Sequence, residues 1–135
     1  MTRFLLDTNA MGDFINRRRG VDIRVHKARA TGGVIGTCEP VVGELFFGVE
    51  YSVTRDKNWK RLKRALSGIF SWPFDRAAAE EYGRIAAELK RTGRMIQPVD
   101  IQIAAIALTL RNCTVVTRDK DLSAISGLTI ENWAT

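Results

Sequence analysis

The sequence predicts an α/β fold of three layers, with a mainly parallel sheet of about four to five strands flanked by helices on both faces. Three observations lead there. Short apolar runs alternate along the chain with longer segments of helical period. The segments between strands hold helices of ten or more residues, and such links are crossovers that return the chain to a parallel neighbour. The 135 residues contain no repeat, low-complexity tract or linker, so the whole length, 1 to 135, reads as a single domain.

Phe4 to Leu6 form a first strand, and helical segments follow near 9 to 17 and 21 to 30. Gly32-Gly33 breaks the chain before a second strand at Val34 to Gly36. Pro40 sits in the first turn of a helix that runs to about Ser52. The next helix covers roughly 56 to 69, with Trp59, Leu62, Leu66 and Ile69 at helical spacing. Asp75 caps a helix that extends to Thr92, where Gly93 stops it. After Pro98 an Ala- and Ile-rich helix continues to Arg111. Cys113 to Thr117 are the clearest strand, and a short strand at Thr129 to Glu131 precedes Trp133.

Composition narrows the function classes. With 45% hydrophobic and 27% charged residues, 11 Gly and 3 Pro, collagen-like, mucin-like and disordered classes are out. Cys38 and Cys113 form no CxxC and do not cluster with the single His26, so both read as small buried hydrophobes and not as a zinc or redox site. No apolar run reaches the length of a signal peptide or a bilayer span, which makes a reducing cytoplasm the expected location. Walker A and GxGxxG runs are absent. The formal charge is +6, concentrated in 17 to 29 and 55 to 64, while the remainder is acidic on balance. A polyanionic partner fits that distribution.

Parallel α/β sheets bind ligands at the carboxyl ends of their strands. Asp7 follows the first strand directly, and Asp119 follows the Cys113 to Thr117 strand, with Asp121 just beyond. Either alone reads as an ordinary turn acid. Two further acids lie on helices. Glu44 has Pro40, Val41, Phe47, Gly48 and Tyr51 as its helical neighbours, none of them charged, so its face is expected to be dry. Asp100 repeats the pattern among Ile96, Ile103, Ala104 and Ala107, although a first-turn acid also suits the helix dipole. Buried carboxylates need a compensating cation. Arg or Lys can serve; a hard divalent ion such as Mg²⁺ or Mn²⁺ is the other solution for acids with no His or Cys nearby.

Five segments, in order, carry a family resemblance. Leu6-Asp7-Thr8-Asn9 is similar to an LDTN start. Pro40-Val41-Val42-Gly43-Glu44-Leu45 places an acid in a helix. Gly93 to Asp100, followed by Ile101-Gln102-Ile103-Ala104-Ala105, resembles an acid before an IAA-like helix. Val116-Thr117-Arg118-Asp119-Lys120-Asp121-Leu122 resembles a VTxDxDF segment, and Gly127-Leu128 to Glu131-Asn132-Trp133 a GLxxENW ending. Together they resemble PIN-domain ribonucleases of the VapC toxin type over nearly the whole chain. Leu122 stands where Phe is commoner, and Gln97 and Pro98 vary the approach to Asp100.

The resemblance implies a PIN-like fold and a Mg²⁺- or Mn²⁺-dependent endoribonuclease, the toxin of a VapBC-type toxin-antitoxin module. Asp7, Glu44, Asp100 and Asp119, with Asp121 as a further or alternative ligand, would hold one or two ions, and a metal-activated water would cut RNA to leave 5′-phosphate and 3′-hydroxyl ends. With one histidine, a two-histidine acid/base ribonuclease is not available. Thr8, Asn9 and Thr117 are candidates for orienting the carboxylates. Lys57, Arg61 and Arg64 share a helical face and are candidates for an RNA path. A homodimer and a cognate VapB-like antitoxin are the implied partners. The competing reading is a degenerate PIN-like module that binds RNA or protein without cutting, against which the retained acids argue.

Overall fold

The computed structural model describes the whole of Met1–Thr135. At its centre lies strand β1 (Arg3–Leu6), which pairs in parallel with β2 (Val34–Cys38) on one side and β4 (Cys113–Val116) on the other. Strand β3 (Phe70–Trp72) adds beyond β2, and β5 (Thr129–Glu131) beyond β4. The sheet is therefore five-stranded and wholly parallel, in the order β3-β2-β1-β4-β5. Helices α1 (Thr8–Ile15) and α2 (Val21–Ala30) connect β1 to β2. Helices α3 (Glu39–Glu50) and α4 (Arg55–Leu66) lead to β3, and α5 (Arg76–Arg91) and α6 (Pro98–Thr109) return to β4. A 3₁₀ turn at Lys120–Ala124 precedes β5.

Local chemistry sets these boundaries. The Asp7 carboxylate accepts the Ala10 N–H at 2.9 Å and starts α1, and Asp75 accepts the Ala78 N–H at 2.9 Å and starts α5. Proline opens α6, and Gly93, at φ 72, takes the left-handed turn that follows α5. Gly36 in β2 is required by close approach: a Cβ there would lie 2.6 Å from the Trp72 ring. The sequence reading has no strand at 70 to 72, because it continues a helix to 69. The structure ends α4 at Leu66 and adds β3 as an edge strand of three residues, too short to show a period of two, with Phe70 63% exposed.

Leu5 and Leu6 of β1, Val115 and Val116 of β4, Met11 of α1, Ile103 and Ile106 of α6, and Trp133 are fully buried in one core. Each such side chain contributes about 1.5–3 kcal/mol relative to exposure. Helix α6 is buried nearly all round, from Ile101 through Ala107, which anchors its first turn against the sheet. The chain steps outward from β1 through β2 to β3, then crosses back to β4 on the other side of β1. The carboxyl ends of β1 and β4 thus flank the switch point where this architecture opens a crevice. No helix is long and apolar enough to cross a membrane.

Candidate active site

Asp7 and Asp119 stand just past the ends of the paired strands β1 and β4. Asp7 is 5% exposed, and burial pushes its carboxyl up from the ordinary range. A hydrogen bond from Thr117, the Ala10 N–H and the positive charge of Arg118 partly offset that rise. The buried Thr117 hydroxyl also accepts the Asp119 N–H at 2.9 Å, so one side chain touches both acids. Asp119 in turn accepts the Asp121 N–H at 2.8 Å, which starts the 3₁₀ turn and leaves Asp121 exposed.

Asp100, in the first turn of α6, is where the acids meet electrostatically. Its carboxyl is pushed up to about 6, first by burial and then by the negative charges of Asp119, Asp7, Glu44 and Asp121. The negative charges of Asp7 after β1, Glu44 on α3, and Asp119 and Asp121 after β4 thus all act on Asp100 of α6. Glu44 arrives differently from the expectation. It is exposed, not dry: Phe47 and Tyr51, stacked at 5.9 Å, are 69% and 83% exposed, and Gly43 and Gly48 have open space where a Cβ would be. Of the apolar neighbours on that stripe, Val41 turns into the core, while Phe47 and Tyr51 on the following turns lie in solvent. Thr8 orients Glu44 by donating its hydroxyl to Oε1. Asn9, the third of the expected orienting groups, is exposed and makes no side-chain hydrogen bond.

The donor set is all carboxylate oxygen, and no Lys or Arg makes an ion pair with any of the five acids. Such uncompensated hard ligands fit Mg²⁺ or Mn²⁺. As they stand the side chains do not close on a common point, since no three His, Cys, Asp or Glu groups come together tightly enough to grip an ion. Three of the acids turn instead to nearby donors, Glu44 to Thr8, Asp7 to Ala10 and Thr117, and Asp119 to the Asp121 N–H.

Arg61 and Arg64 of α4 line a cleft of about 630 Å³ with Phe14, Ile15 and Arg17 at the far end of α1, and Arg61 also donates to the Ile15 carbonyl at 3.4 Å. Lys57 is exposed on the same helix and does not line it. Sequence reasoning missed Asp13. It is 1% exposed within α1 and pairs with Arg19 at 3.0 Å, Arg18 at 3.5 Å and Arg118 at 3.8 Å. The available signal was the Arg17-Arg18-Arg19 cluster that follows it, a supply of cations for a buried acid. Cys38 is fully buried, as read from the sequence, and its thiol is pushed up to about 12 by burial, which leaves it inert, whereas Cys113, at the start of β4, is only partly buried and departs from that reading.

The chain matches the PIN domain family over residues 4–128. It is 29% identical over 134 residues to the tRNA(fMet)-specific endonuclease VapC of Shigella flexneri, covering 99% of this chain and 100% of that one. It is 30% identical over 131 residues to ribonuclease VapC2 of Rickettsia felis, covering 96% and 97%. Among solved structures, VapBC2 from Rickettsia felis bound to a promoter DNA fragment superposes with a TM-score of 0.90 at 28% identity, over 98% of this chain and 99% of that one. DNA-bound VapBC from Salmonella typhimurium gives 0.87 at 30% identity, over 99% and 100%.

Proposed function

The chain belongs to the PIN-domain family, as an endoribonuclease of the VapC type, and on that premise we propose that Asp7, Glu44, Asp100 and Asp119 together hold one or two Mg²⁺ or Mn²⁺ ions for hydrolysis of RNA phosphodiester bonds. The observation that carries this reading is the effect of four acids from three different parts of the fold on Asp100, whose carboxyl they help push up to about 6. A divalent cation held among these acids would relieve that repulsion. Asp121 is exposed and joins the set as an outer group.

A divalent ion bound there would polarise the scissile phosphate and make a water nucleophilic at neutral pH. The chain's own residues fix the frame for that chemistry. Thr117 holds Asp7 through its hydroxyl and Asp119 through the backbone, so the ends of β1 and β4 act as one unit. Thr8, the residue after Asp7, holds Glu44. Asp100 stays fixed by the buried length of α6. Arg61 and Arg64, with Lys57 on the same helix, lie along α4 as an outer track for phosphates of the same strand.

Residues 1–135 act as one domain, as a homodimer, and are inhibited by a cognate VapB-like antitoxin. The deciding experiment purifies the chain alone and with the product of the adjacent reading frame, and assays each on total RNA with Mg²⁺ and with EDTA. Cleavage by the chain alone, abolished by EDTA, by Asp100→Asn or by the partner, supports the reading. Cleavage that persists in EDTA, or in Asp100→Asn at the parent rate, refutes the metal assignment.

A further inference from the structure

We propose that Asp13 is a positioning residue that holds the Arg118 guanidinium outside the acid cleft and so leaves the carboxylates to a divalent cation. The inference rests on the reading of the cleft as a carboxylate metal site. Arg118 lies in the chain between Thr117, which hydrogen-bonds Asp7, and Asp119. Its charge already acts on Asp7. It is therefore the cation best placed to neutralise the cleft from within, and an arginine seated there would compete directly with a metal ion.

It is not seated there. Its one ion pair runs the other way, from Nε to Asp13 Oδ2 at 3.8 Å. Asp13 needs no third arginine for its own neutrality, since Arg19 Nη1 at 3.0 Å and Arg18 Nε at 3.5 Å both meet its other oxygen, Oδ1. Oδ2 is buried and accepts no hydrogen bond, so it presents an unsatisfied negative end toward Arg118 alone. The pairing thus serves the arginine more than the acid.

The anchor is rigid. Asp13 is 1% exposed on α1, the helix that Asp7 caps. The loop that supplies Arg18 and Arg19 holds Arg17 and Arg19 at φ 52 and 54, a left-handed conformation that arginine adopts only when its surroundings impose it. Part of that constraint comes from Thr135, which donates its backbone N–H and its hydroxyl to the Arg19 carbonyl at 2.9 and 3.1 Å.

Calorimetric titration with Mn²⁺ alone, without RNA, on the full antitoxin-free chain tests this in four forms: the parent, Asp13→Asn, Arg118→Gln and the double variant. Asp13→Asn should raise the Mn²⁺ Kd by about twofold to fivefold, the scale of one partly exposed arginine-carboxylate ion pair formed within the cleft. Arg118→Gln should tighten binding severalfold, because a positive charge leaves the neighbourhood of Asp7. The double variant should return to the Arg118→Gln value. A merely structural Asp13 predicts instead that the double variant stays as weak as Asp13→Asn, and that result overturns the inference. So does Mn²⁺ binding by Asp13→Asn at the parent Kd. Should Asp13→Asn fail to fold in metal-free melts, Arg118→Gln decides by its direction, since that side chain is 37% exposed and weaker binding there refutes the inference. No Mn²⁺ binding by the parent chain would overturn the metal-site reading and the inference with it, whereas a normal parent with any of the contrary variant results overturns the inference alone.

Discussion

Replacing Asp100 by Asn should make the metal-free protein more stable while removing its response to metal. The carboxyl rises from 3.8 to about 6 on folding, which as a free energy is at most about 3 kcal/mol against the folded state at neutral pH. Asp100 is partly exposed, so solvent screening reduces the figure to about 1 to 2 kcal/mol. Its place in the first turn of α6 returns about 0.3 to 1 kcal/mol through the helix dipole. The net gain for Asp100→Asn is therefore about 1 kcal/mol, or about 3 to 5 °C in melting temperature for a chain of this length. The sign with pH follows from the raised folded value. The folded state binds the proton more tightly than the unfolded one, so the parent loses stability as pH rises from 3.8 to about 6 and loses no more above that. The advantage of Asp100→Asn should be full at pH 7.5 and largely gone at pH 4.5, where the carboxyl is protonated in the folded parent. Thermal melts of both proteins in EDTA at the two pH values measure it. A variant less stable than the parent at pH 7.5, or a gain that does not shrink on acidification, would show that Asp100 is not under the repulsion assigned to it.

Mn²⁺ at a hundredfold excess over its Kd should add about 2.7 kcal/mol to the parent, with a larger melting shift at pH 8 than at pH 5, where protons compete for Asp100; equal shifts at both would count against a carboxylate site. Thr117→Val removes the hydroxyl shared by Asp7 and Asp119 and should cost about 1–3 kcal/mol in denaturant unfolding, with RNA cleavage slowed more than RNA binding is weakened. Arg61→Gln and Arg64→Gln should each weaken RNA binding by the Asp100→Asn protein and lower the slope of log K against log salt by about one; unchanged slopes in fluorescence anisotropy would remove α4 from the RNA path. Cys38 should resist thiol reagents in the native state and react only as fast as the chain unfolds, because its thiol is fully buried and pushed up to about 12.

The parts of the fold that local chemistry determines were readable in the sequence. Asp75, Gly93 and Pro98 mark the ends of α5 and α6 by capping and backbone rules that hold without tertiary context. Helix α2 begins and ends at 21 and 30, where the pattern places it. Strand β3 was not readable, because three residues at a sheet edge owe their conformation to β2 alone, through the pairing of Gly36, Thr37 and Cys38 with Phe70, Ser71 and Trp72. A glycine that admits the Trp72 ring is a statement about two segments far apart in sequence, and no local period carries it.

The acids show the same limit from two opposite sides. Glu44 has uncharged neighbours on its helical stripe and is exposed, while Asp13 has Asn9, Asn16 and Arg17 for company and is 1% exposed. Helical neighbours describe the surface that one helix presents; burial depends on what another element brings to it. Over Glu44 the fold leaves a cleft, and over Asp13 it brings a left-handed arginine loop, Thr135 and the residue after Thr117. Periodicity could therefore nominate Glu44 only because its stripe is apolar where a solvated face would be charged, and it had no means of nominating Asp13. Chain order carries more than periodicity here. Asp7 and Asp119 are brought together because they follow strands that the crossover pattern makes neighbours, and once those two ends are fixed, any acid on a helix that reaches the same edge of the sheet adds its charge to theirs.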